Sequence, residues 1–239
     1  MKPNHLLSVF LVILSCLAFS LQAQTSKIAI VSVADTTILH RHAGLTVLTN
    51  FRDTMSINFS MIGHIEKKLQ TYLVPGYTVT VVLLPDSVLK AKNGYFSSDK
   101  SKKLKQWIKN SKDLYDFVIV IDNMELSEVY RYIPKNSRGL LSRHSFLSYY
   151  TTITFNGYRT SNLKALEYYH EGGEFLKPIK NFKLPEDKKT FTPETMELIN
   201  IGFRKYLDSR VEYFLSKTYM VPQDKIDAIK AESGTVKQE

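Results

Sequence analysis

The sequence predicts an α/β fold: a mixed sheet of three-layer character, its parallel β-α-β-α-β core extended by an antiparallel hairpin and covered by a long C-terminal helix. Three observations predict it. Lys27 to Val33, Tyr77 to Leu84 and Phe117 to Ile121 are nearly continuous apolar, β-branched runs, the pattern of strands buried on both faces. Stretches of helical period separate them. Two alternating runs and one long amphipathic run complete the chain.

The first strand, KIAIVSV, is followed by Ala34 to Asn50, which reads as a loop or a broken second strand. From Ser56 onward Ile57, Met61, Ile65, Leu69 and Leu73 recur at helical spacing, and Pro75-Gly76 stops that helix. Pro85-Asp86 ends the second strand, YTVTVVLL. A helix starting at Asp99 or Ser101 would bury Leu104, Trp107 and Ile108 and leave Lys102, Lys103, Lys105 and Lys109 in water. The third strand, FVIVI, runs directly into Asp122-Asn123. Met124 to Ser145 suggests a short helix around Glu125 to Tyr132, then a loop through Pro134, Gly139 and His144. Tyr149 to Phe155 and Leu163 to Tyr169 alternate and are separated by turn residues, the signature of a hairpin. After a polar linker from His170 to Thr190, Thr192 caps and Pro193 opens the last long helix. Its apolar face carries Met196, Ile199, Phe203, Leu207, Val211 and Phe214, and Pro222 ends it.

The amino end has the pattern of a secretory signal peptide, residues 1–23. Lys2 and His5 precede an apolar run from Leu6 to Phe19, and Ala23 supplies the small residue at the cleavage point, leaving Gln24 as the new terminus. Two other readings stay open: a retained membrane anchor, for which the run is short, and a lipoprotein signal lipidated at Cys16. Residues 24–221 are expected to form a single domain, with a short helix and a disordered tail over 222–239. Cys16 is the only cysteine, so the processed chain would have neither a disulfide nor a thiol nucleophile. The formal charge of +9 would suggest nucleic acid inside a cell. In an exported protein it suggests an acidic envelope protein, an anionic glycan or lipid, or simply solubility, and nucleic acid is not expected. No transmembrane helix is expected in the processed chain.

Motifs that carry chemistry are scarce. No G-x-S-x-G elbow, phosphate loop or dinucleotide fingerprint occurs. His170-Glu171-Gly172-Gly173-Glu174 lacks the second imidazole of a zinc protease. No catalytic residue, metal site or cofactor is therefore assigned. In parallel sheets, ligands gather beyond the carboxyl ends of the strands. Those ends offer Asp35, Asp86 and Asp122, over which His40 and His42 would fold. The segment from Tyr130 to Tyr150 adds Arg138, Arg143 and His144 among aromatic residues, a composition suited to an anionic ligand. The candidate ligand-binding residues are thus Asp35, His40, His42, Asp122, Arg138, Arg143 and His144.

IVSVAD, the run His42-Ala43-Gly44-Leu45-Thr46 with Asn50, YDFVIVID and the SRGLLSRHSF loop together resemble uncharacterised exported α/β envelope proteins over most of the processed chain. The element order is also similar to the amino-terminal domain of TolB. The first likeness implies export, and the second implies protein interaction in the envelope; neither supplies catalytic residues. The expected function is an exported, non-catalytic binding or accessory protein, periplasmic or secreted. The alternative is a metal-dependent or acid/base hydrolase with its site at the strand ends.

Overall fold

The computed structural model describes residues 25–34, 37–44, 49–91, 99–123, 138–143, 146–166, 176–180, 182 and 190–235. Strands β1 (Lys27–Ser32) and β5 (Phe117–Asn123) lie at the centre of a four-stranded sheet. Both are apolar at successive positions because both of their faces are covered. Ile28, Ile30, Ile119 and Ile121 point into one core, while Ala29, Val31, Val118 and Val120 point into another. β4 (Thr78–Val81) and β5 flank β1 in parallel, and β8 (Ile153–Arg159) pairs antiparallel with β5. The chain is therefore α/β, with a parallel centre and antiparallel extensions.

A five-stranded sheet continues the first. Its order is β3 (Phe51–Thr54), β2 (Ile38–Ala43), β6 (Arg138–Arg143), β7 (Phe146–Thr151) and β9 (Leu176–Pro178). β2 and β6 are parallel, and the other pairs are antiparallel. The order β1-β5-β8 in one sheet recurs as β2-β6-β7 in the other, so three chain segments pass from sheet to sheet side by side.

Helices cover both faces of the first sheet. α1 (Met61–Leu73) and the long α4 (Pro193–Lys217) share the larger core, which also takes Leu140, Leu147 and Tyr149 from the second sheet. The short α2 (Asp86–Leu89) and α3 (Asp99–Asn110) close the smaller core with Val88, Leu104 and Ile108. Ser60 caps α1 by accepting from the Gly63 amide, and Thr192 caps α4 by accepting from the Thr195 amide. α5 (Gln223–Thr235) follows Pro222. Among the described residues, no helix is long and apolar enough to cross a membrane.

Local departures from the sequence reading share one cause, burial at junctions. The stretch from Ala34 to Asn50 contains the whole strand β2. The expected strand from Tyr149 to Phe155 is two strands of different sheets joined at Thr152. Tyr149 to Phe155 are buried without interruption there, so alternation carries no information. The expected second arm reduces to a bridge between Tyr158 and Ala165, with the Leu166 amide donating to the Gly157 carbonyl. The supposed loop before Tyr150 contains β6 and most of β7. α4 stops at Lys217, short of Pro222, because the Thr218 hydroxyl donates back to the Phe214 carbonyl and Tyr219 turns left-handed at φ 54°. The expected helix around Glu125 to Tyr132 and the tail from 236 lie outside the described residues.

Candidate functional site

The second sheet gathers the densest polar cluster in the larger core. Register places His40 beside Leu140 and His42 beside Ser142, so these side chains share the face that turns toward α4. The Ser142 hydroxyl lies 3.0 Å from His40 Nε2 and 2.8 Å from His42 Nδ1. A hydroxyl has one proton, so Ser142 donates to one ring and accepts from the other, and both imidazoles can stay neutral. Phe51 packs 5.0 Å from the His40 ring and 5.2 Å from the His42 ring, and Phe191 lies 5.3 Å from His40. Burial lowers the His40 pKa to about 4; a charge on His42 would add to that effect, and Asp53 opposes it.

This arrangement pairs a hydroxyl with two bases, the raw material of nucleophilic catalysis. Ser142, however, has 0% of its surface exposed, and the two histidines have 3% and 1%. The cluster faces protein rather than solvent. Its evident work is to tie β2 to β6 across the core.

The remaining candidates separate. Arg138, also buried, shares the face of His40 and His42 by register, while Arg143 is exposed on the opposite face at the end of β6. Asp122 stands in the first sheet, half-buried, accepting from the Asn123 amide at 2.7 Å. It shares its sheet face with Val118 and Val120, on the side of α3, so it and the histidines point into different layers. Asp35 and His144 lie outside the described residues. Among those described, no three His, Cys, Asp or Glu side chains group where they could hold a metal ion.

Sequence reading missed a second site. A cavity of about 330 Å³ opens where the end of β8 meets the end of α4, lined by Arg159, Lys164, Leu166, Lys217, Thr218 and Tyr219. Arg159 lies over the Phe117 ring at 5.0 Å and Lys217 over the Tyr213 ring at 5.2 Å, which fixes both cations beside the opening. None of its three cations has an acidic partner among the described residues. Tyr219 presents 89% of its surface to solvent. Leu163, which closes the turn ahead of Lys164, and Tyr219 are the two non-glycine residues with positive φ, at 56° and 54°, among the described residues. Bulky side chains in that region carry strain, and such strain concentrates at functional sites. The one sequence signal for this site was a cation beside an aromatic in both Tyr158-Arg159 and Lys217-Thr218-Tyr219, 58 positions apart.

Compared with protein-family models, curated proteins and solved structures, the chain matches none.

Proposed function

We propose that this chain is an exported, non-catalytic binding protein of the cell envelope, and that the cavity between β8 and α4 holds an acidic oligosaccharide. The observation that carries the reading is the set of three cations without acidic partners, Arg159, Lys164 and Lys217, around one cavity with an exposed tyrosine on its rim. Guanidinium and ammonium groups bind carboxylates, and an aromatic ring beside them offers a flat apolar surface to a sugar face. The cavity volume lies within the range of about 300–1,000 Å³ found for small-ligand sites. The amino-terminal export pattern and the overall basic charge fit an extracytoplasmic partner rich in acid groups. The buried Ser142 argues against the hydrolase alternative, since no substrate reaches it without opening the core.

Calorimetric titration with an oligogalacturonate tests the site, with the neutral oligosaccharide of equal length and anionic phospholipid vesicles as comparisons. The Lys164→Glu, Lys217→Glu double variant is expected to bind the acidic oligosaccharide at least tenfold more weakly, with its unfolding midpoint unchanged. Equal affinity of the variant, or equal binding of the neutral sugar, sinks the assignment. Amino-terminal sequencing of the native protein tests export. A start at Gln24 outside the cytoplasm is expected; an intact cytoplasmic chain starting at Met1 overturns it.

A further inference from the structure

Four strands end the two sheets, and three of their edges are guarded. β3 carries Arg52 and Asp53, and β9 carries Lys177 and Pro178. β8 is covered where Ala165 bridges Tyr158 and Leu166 packs on Gly157. Charge, proline and covering segments are the usual means of stopping a sheet edge from recruiting another strand. β4 has none of them. From Tyr77 to Leu84 there is no charged residue and no proline, and Thr78, Thr80, Val81 and Leu83 are all exposed, Leu83 at 92%.

The free side of β4 has a defined pattern. Thr78 and Val82 donate to the Ser26 and Ile30 carbonyls beside β1, so even-numbered amides point inward. The N–H and C=O groups of Val79 and Val81 therefore point away from the sheet. We infer that β4 pairs antiparallel with β4 of a second copy of this chain, about a twofold axis through Thr80. This register sets each Val79 opposite the partner's Val81, which joins outward donors to outward acceptors in reciprocal pairs. It also sets Thr80 against Thr80 of the partner subunit and brings Leu83, the most exposed apolar residue described, opposite the partner's Tyr77. The two four-stranded sheets become one of eight strands. A second copy is favoured over a foreign strand because the edge is uncharged and meets itself without repulsion, with threonine against threonine and valine against valine at the centre. Edge pairing of this length is small beside the roughly 1,200–2,000 Å² of stable interfaces, so the dimer depends on concentration. With +9 on each chain, it strengthens as salt is added.

Cross-linking tests the register. In the full chain carrying Cys16→Ser, Thr80→Cys supplies the only thiol. Non-hydrogen-bonded antiparallel partners have Cα atoms about 4.5 Å apart, within the roughly 4.4–6.8 Å that a disulfide spans. Thr80→Cys is therefore expected to oxidise to a covalent dimer. Thr78→Cys is not, because four residues of offset separate its two copies by about 13 Å. In sedimentation at micromolar to near-millimolar concentration the unmodified chain is expected to dimerise. Thr80→Lys, with unchanged circular dichroism, is expected to raise the dissociation constant at least tenfold. A chain that stays monomeric throughout, a dimer indifferent to Thr80→Lys, or cross-linking at position 78 in preference to 80 overturns the inference.

Discussion

Ser142 supplies a single hydroxyl to two buried rings, and its removal leaves two imidazole nitrogens without their shared partner. Ser142→Ala is expected to cost about 1–3 kcal/mol in urea unfolding while leaving binding at the distant cavity unchanged. The same cluster makes the fold sensitive to acid. An unfolded histidine titrates near 6.5, whereas His40 in the fold is held at about 4. Between those values the unfolded chain binds the extra proton, so stability is fully present above about pH 6.5 and is lost as pH falls toward 4. The loss amounts to at most about 3 kcal/mol. His40→Gln should flatten that part of the pH profile, and a profile unchanged by the substitution would remove the histidine from the explanation. These residues were visible in the sequence as candidates, but their role was not. His40 and His42 alternate along β2, whereas the hydroxyl they share lies 102 and 100 positions away.

Among the helices, α4 shows why one small residue sits inside a long helix. A Cβ at Gly202 would lie 2.0 Å from the Tyr149 hydroxyl and 2.8 Å from the ring carbon that bears it. Tyr149 in turn stacks on Phe203 at 5.4 Å and lies 6.1 Å from Tyr206, and burial pushes its hydroxyl pKa up to about 12. In an exposed helix, Gly→Ala gains about 1 kcal/mol. Here Gly202→Ala is expected to destabilise by about 1–3 kcal/mol through overpacking. Tyr149→Phe should recover part of the loss, since it removes the nearer atom and leaves the other. Full additivity of the two changes in a double-mutant cycle would show that the contact is not the cause. The helix itself was legible from its Thr192-Pro193 start and its apolar period. Its glycine contact was not, because it depends on a tyrosine from another sheet.

Across the whole molecule, protection should follow the layers. β1 and β5 are covered on both faces, so amides of Ile28 to Val31 and Val118 to Ile121 are expected to exchange most slowly, at rates set by global unfolding. β3 and β9, at the outer edges of the second sheet, should exchange through local opening. Hydrogen exchange read by mass spectrometry tests this, and equal protection of β3 and β1 would contradict the layered picture. The parity of the buried strands also explains why Asp122 and the two histidines, which the sequence reading gathered at one sheet edge, face different layers. One residue's shift along a strand reverses its side, and strand ends alone do not reveal a change of sheet.

By itself the sequence determined the α/β class, the doubly buried strands, α1, α3 and the start of α4, because these follow from local periodicity, β-branching and capping. Only the tertiary structure decided that the chain folds through two sheets, that Ser142 joins His40 to His42, and that Arg159, Lys164 and Lys217 surround one cavity. The reason is physical. Periodicity records whether a residue is buried, while which distant residue buries it is settled only when strands pair and helices pack.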